Sequence, residues 1–183
     1  MTEEQYNKSI NTQELQLTVS KKLSHFSIVL FCLFVCIILP VIHAIKYFQG
    51  DQSPFMSGEI LIIIIPAIIG LLFYWLQKSR LKFKIITTSL TRANLIDIIN
   101  LVGKQLEWSI SHPSHNEVLA RTNPSFFSGS WGEQVTVLFY GDEVLINSVC
   151  DLNKQTSVVS FGRNRKNVET LINAIKKADK YYT

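Results

Sequence analysis

Two long apolar runs near the N-terminus, Phe26–Ile42 and Ile60–Leu76, limit what this chain can fold into more than any other feature. The first reads FSIVLFCLFVCIILPVI, and its only polar side chain is Ser27. Carried on to Ile45, it approaches the roughly 20 residues that cross about 30 Å of hydrocarbon. The second, ILIIIIPAIIGLLFYWL, has no charged residue and ends near Tyr74 and Trp75, rings that favour the membrane–water boundary. In lipid each segment must satisfy its own backbone, which a helix does without a partner. Pro40 and Pro66 each remove one donor and can kink these helices. Lys21 and Lys22 precede the first run as they would in a signal peptide, but Val41-Ile42-His43 offers no small-residue cleavage site, so the expectation is a retained span. A soluble chain of this length has too little else to bury both runs on all sides.

Charge then orients the hairpin. Lys21 and Lys22 lie before the first run, and Lys78, Arg80, Lys82 and Lys84 follow the second. The connector His43–Glu59 holds Lys46 against Asp51 and Glu59. Basic flanks stay cytoplasmic, which predicts a multi-pass protein of the cytoplasmic (inner) membrane with both termini inside. The predicted division is a polar cytoplasmic tail (1–25), a span (26–45), a short external connector (46–58), a second span (59–77) and a cytoplasmic α+β domain (78–183). Residues 77–183 carry fourteen Lys or Arg against nine Asp or Glu. That surplus attracts anionic head groups and is too dispersed to indicate nucleic acid. Three cysteines, two of them inside the first run, give no disulfide framework and suit a reducing compartment.

The soluble part is predicted to run β-α-β-β-β-β-β-α. Lys82–Thr88 alternates as a half-buried strand does. Thr91 can cap a helix to about Leu106, with Leu95, Ile98, Ile99, Val102 and Leu106 as one apolar stripe. Glu107–His112 and Glu117–Thr122 read as short strands. Glu133–Tyr140 and Glu143–Cys150 form a hairpin whose Gly141-Asp142 turn suits type II′. Thr156–Phe161 reads as a last strand, and Asn164 can cap a final helix with Val168, Leu171, Ile172 and Ile175 on its buried face. Strands in this order make an antiparallel sheet with two helices packed on it.

Two segments stand out as candidate sites. In Ser160-Phe161-Gly162-Arg163-Asn164-Arg165-Lys166-Asn167 a strand ends, a glycine allows a turn and a helix begins. Free N–H groups there attract anions, and Arg163, Arg165 and Lys166 oppose the helix dipole unless an anion joins them. Gly162, Arg163, Asn164, Arg165 and Lys166 are therefore the candidate anion- or lipid-binding residues; the plainer alternative is a solvated charge cluster. The loop from Asn123 to Gly132 places Phe126, Phe127 and Trp131 among turn-forming residues. It is either an interaction loop that grips a partner or bilayer, or a lid folded over the sheet. His112 and His115 lack a third ligand nearby in sequence, Cys150 lacks a neighbouring histidine, and Cys32 with Cys36 is ordinary inside a span. No phosphate loop, GxSxG, HExxH or CxxC occurs. No catalytic residue, metal or cofactor is assigned.

A two-span hairpin followed by PSFFSxxWGE, EVLINSxC and SFGRNRKN resembles a family of small bacterial membrane proteins, over roughly residues 80–178. The resemblance implies a membrane location and an α+β cytoplasmic module, and it brings no catalytic residue with it. The order of parts is also similar to bacterial membrane proteins with pleckstrin-homology-like domains, from which this chain departs by placing the helix Arg92–Leu106 before most strands. The expectation is a non-catalytic integral membrane protein of the lipid bilayer. Its cytoplasmic domain would bind anionic lipid, a membrane-protein partner or a second copy of itself. The alternative is an accessory subunit of a larger membrane complex.

Overall fold

The computed structural model describes residues 1–50, 57–111, 113–122, 131–154, 160 and 162–182. The chain divides into two units, Met1–Lys21 with Arg80–Thr183, and Lys22–Ser79. In chain order the elements are α1 Glu3–Thr12, α2 Val19–His25, α3 Ser27–Phe48, α4 Ser57–Arg80, β1 Lys84–Thr87, α5 Arg92–Gln105, β2 Trp108–Ile110, β3 Glu117–Thr122, β4 Glu133–Tyr140, β5 Glu143–Cys150 and α6 Arg163–Tyr182. The fold is α+β, as expected. The expected strand Thr156–Phe161 lies outside the described residues, Ser160 apart.

In the first unit the strands lie side by side in the order β1-β5-β4-β3-β2, and every neighbouring pair is antiparallel. Tyr140 pairs with Glu143 around Gly141-Asp142. Gly141 has φ +59° and Asp142 is not in the left-handed region, which fits the type II′ turn. Thr91 caps α5, its Oγ1 accepting from the Asn94 N–H. Alternation along β4 and β5 turns Val135, Val137, Val144 and Ile146 toward one face. Leu95, Ile99 and Val102 of α5 and Leu171 and Ile175 of α6 pack there, none more than 5% exposed. Asp179 secures the far end of α6, because its carboxylate accepts from Thr88 Oγ1 and from both the N–H and the hydroxyl of Ser89. The same bonds hold its pKa below the usual aspartate value.

The opposite face corrects the sequence reading. Gln134, Thr136 and Leu138 on β4 sit across from Val149, Asn147 and Leu145 on β5, and all six are buried. Their cover is the N-terminal segment, expected to be a polar tail. α1 opens with a capping box between Thr2 and Gln5 and closes at Gln13 with φ +55°. Tyr6 donates its hydroxyl to Phe139 O on β4. Leu15 N–H donates to Leu81 O, and Phe83 N–H donates to Gln13 O, so residues 13–15 pair with 81–83 around a Glu14–Lys82 bridge. Leu15, Leu17, Leu81 and Phe83 are each at most 8% exposed. Burial of such side chains contributes about 1.5–3 kcal/mol apiece, enough to hold a short strap in place. The chain thus crosses the sheet once before α3 and α4 and returns to it afterwards.

The second unit is an antiparallel hairpin of α3 and α4. His25 Nε2 lies 3.0 Å from Gln77 O, Phe26 lies against Tyr74, Cys36 Sγ donates to Ile63 O, and His43 meets Glu59 at 3.2 Å. Gly70 lets the two helices come close, since a Cβ there would stand a tight 3.0 Å from Cys32 Cβ. Both prolines stay inside their helices. Of the most apolar stretch in each helix only 11% and 6% is buried, so nearly all of that surface faces outward. Both helices are long and apolar enough to cross a membrane.

If the N-terminal strap is part of the folded unit, Leu15→Ala lowers stability by about 2–4 kcal/mol. Leu101→Ala, at a position 68% exposed on α5, changes it by less than about 0.5 kcal/mol. Urea unfolding of the full-length chain in neutral detergent measures both. Equal midpoints for the two variants would return residues 1–17 to the status of a tail.

Candidate functional site

The start of α6 is where sequence and structure meet most closely. Gly162 adopts φ +81°, a region that glycine enters without the Cβ penalty, and a Cβ there would meet nothing within 4 Å. The glycine is needed for its backbone and not for space. Arg163 N–H donates to Ser160 O, and Lys166 N–H to Gly162 O, which starts the helix.

Asn164 does not cap the helix as expected. The helix begins at Arg163, so Asn164 falls in its first turn. Its Oδ1 accepts from Ser148 Oγ at 3.0 Å, on the neighbouring strand β5. Ser148 Oγ in turn accepts from Asn167 Nδ2 at 3.2 Å, and Asn167 Oδ1 accepts from Trp108 Nε1 at 3.3 Å. This chain of side chains fastens α6 to β5 and β2, and it uses each group in the role its chemistry allows. Asn164 Nδ2 is buried without a hydrogen-bond partner among the described residues.

The basic residues behave differently from one another. Arg165 is exposed and pairs with Glu169 one turn along at 2.7 Å, which pushes the guanidinium pKa further up. Arg163 is half-buried and Lys166 exposed, and neither makes an ion pair among the described residues. The first turn contains no acidic residue. This end of the unit therefore presents donors and positive charge, suited to holding an oxyanion.

Close by, several buried polar groups stand at the ends of β3, β4 and β5. Glu133 is 1% exposed; it accepts from Thr122 Oγ1, and its own N–H donates to that same oxygen at 2.8 Å. Asp151 Oδ2 lies 3.7 Å from Arg121 Nε, while Asp151 Oδ1 accepts from the Asn153 N–H. Cys150 is half-buried and paired in register with Glu133. These contacts are what a charge needs in order to be buried at all. The polar spacing along the strands carried no sign of them.

Of the aromatic loop, Trp131 is described and is 51% exposed; Phe126 and Phe127 lie outside the described residues, as does His112. Among the described residues, no three His, Cys, Asp or Glu side chains come together as a metal-binding group. Cys32 and Cys36 line an apolar cavity of about 340 Å³ between α3 and α4, with Pro66, Gly70 and Tyr74. A second cleft, at the opposite end of the sheet from α6's first turn, gathers residues that the sequence suggested only as a helix start and a turn.

Ser148→Ala removes the hydroxyl shared by Asn164 and Asn167 and leaves buried amide groups unpaired. The expected loss is about 1–3 kcal/mol, read by urea unfolding, with Ser148→Thr retaining part of it. A Ser148→Ala protein as stable as the parent would mean that the side-chain network does not fasten α6. No protein-family model, curated protein or solved structure matches this chain.

Proposed function

We propose that the chain is an integral membrane protein that crosses the bilayer twice, with both termini cytoplasmic, and whose α+β unit binds anionic groups at the membrane surface without catalysing a reaction. One observation carries the membrane part. The helical stretches Ser27–Phe48 and Gly58–Arg80, of 22 and 23 residues, turn almost their whole apolar surface outward. In water that surface would be an outlying exposed patch, whereas in lipid it is solvated. At about 1.5 Å per residue, 22 residues span about 33 Å, which matches the hydrocarbon layer. The basic residues flanking both helices support the cytoplasmic orientation.

The binding part rests on the first turn of α6, where Arg163 and Lys166 make no ion pair among the described residues and the positive end of the helix adds to their charge. Anionic head groups are the ligand that a basic module beside a bilayer meets at highest concentration.

Topology is tested in a variant whose own cysteines are replaced. A cysteine at Gly50 reacts with a membrane-impermeant maleimide added to intact cells, and one at Lys104 does not. Labelling at Lys104 from outside, or recovery of the chain as a monomer without detergent, defeats the reading.

Short-chain phosphatidylglycerol, added below its micellar concentration to the full-length chain in neutral detergent, binds more tightly than short-chain phosphatidylcholine. Binding weakens as salt rises from about 0.1 M to about 1 M, where the Debye length contracts from about 10 Å to about 3 Å. Arg163→Ala and Lys166→Ala each weaken it by about fivefold, equivalent to about 1 kcal/mol per basic residue. Arg165→Ala weakens it less, since Glu169 already holds that side chain. Equal affinity for the two lipids removes the head-group role and leaves a protein partner.

A further inference from the structure

The cleft at the β4–β5 turn has a volume of about 310 Å³ and is built within the first unit. Arg92 and His115 line it from the start of α5 and from the β2–β3 connection, and Asp142 and Glu143 line it from the hairpin. Leu95, Phe139 and Val144 contribute apolar surface. Arg92 is fixed there twice over: its Nη2 donates to Ser114 O, and its guanidinium lies 4.3 Å from the centre of the Phe139 ring. A guanidinium held on an aromatic face cannot swing freely toward a carboxylate.

The opposite charges in this cleft do not meet. Among the described residues Arg92 makes no ion pair, and the carboxylates of Asp142 and Glu143 make neither an ion pair nor a hydrogen bond. Arg92 is instead engaged by Ser114 O and the Phe139 ring, and the turn that carries Asp142 is set by Gly141 at φ +59°. The lining carries one guanidinium and two carboxylates, so neither a simple anion nor a simple cation answers all of its charges. A molecule carrying both charges does. Its oxyanion would meet Arg92, its ammonium would meet Asp142 and Glu143, and a short apolar group would lie against the apolar part of the lining.

We propose that this cleft binds a small zwitterion, with the ammonium and the oxyanion a few bonds apart. A free α-amino acid and an ethanolamine-phosphate head group share that chemistry. The proposal is independent of the anion site on α6.

Calorimetric titration of the full-length chain in neutral detergent tests it, with L-valine and glycerophosphoethanolamine as the two probes. Saturable binding of L-valine alone assigns the cleft to a free amino acid, and of glycerophosphoethanolamine alone to a head group. No saturable heat from either in the millimolar range overturns the proposal. If L-valine binds, valinamide, which lacks the carboxylate, and N-acetylvaline, which lacks the ammonium, each bind about tenfold more weakly, the change that 1.4 kcal/mol makes. Arg92→Gln then removes the discrimination against valinamide and keeps that against N-acetylvaline. Asp142→Asn and Glu143→Gln, at the hairpin turn, do the reverse. If glycerophosphoethanolamine binds, its N-acetyl derivative takes the place of N-acetylvaline. Equal affinities across the charged and neutralised probes would overturn the proposal even if binding occurred. The discrimination pattern, unlike affinity alone, does not follow from partial unfolding of a variant.

Discussion

The hairpin of β4 and β5 is buried on both faces, and the rest of the first unit is arranged around that requirement. Eight residues of each strand pair in register, and Val137, Leu138, Leu145 and Ile146 at its centre are at most 1% exposed. A sheet buried on two sides needs two covers. α5 and α6 supply one, with a stripe of Leu, Ile and Val on each helix. Residues 1–17 and 81–83 supply the other, and their backbones are hydrogen-bonded to each other. In sequence, the pair of apolar helices is therefore inserted into the first unit, entered after one cover segment and left just before the first strand.

That arrangement explains several buried polar groups. Asn147 points to the second face, where its amide donates to both Arg80 O and Lys82 O at 2.9 Å. It stabilises the backbone where the chain returns from α4, a stretch too short for regular strand pairing on its own. Ser148, on the other face, does the equivalent for α6 through Asn164 and Asn167. Breaking buried polar contacts of this kind is costly, so they favour one placement of each covering segment over its neighbours.

Much of this was legible. The apolar stripes of α5 and α6, the Gly141-Asp142 turn, the Thr91 cap and the bounds of β3, β4 and β5 all follow from local chemistry, and the structure agrees with each. The glycine-led start of α6 was legible for the same reason. Two readings failed, and both failures were non-local. Asn164 was expected to cap its own helix, but a serine on β5 competes for the side chain. Residues 1–17 contain few apolar side chains and no long periodic pattern, so they resemble a solvated tail. Their burial depends on residues 81–83, reached only after the whole hairpin has intervened.

The sequence by itself determined that two stretches need an apolar surround and that an antiparallel sheet with two helices follows them, because hydrophobic periodicity and turn chemistry act over a few residues. Only the tertiary structure decided which polar residues are buried, that the N-terminal segment closes the sheet, and that Arg92, Asp142 and Glu143 share one cleft without pairing. Those outcomes depend on which distant backbone arrives to satisfy a buried face, and no local pattern of side chains records the identity of that partner.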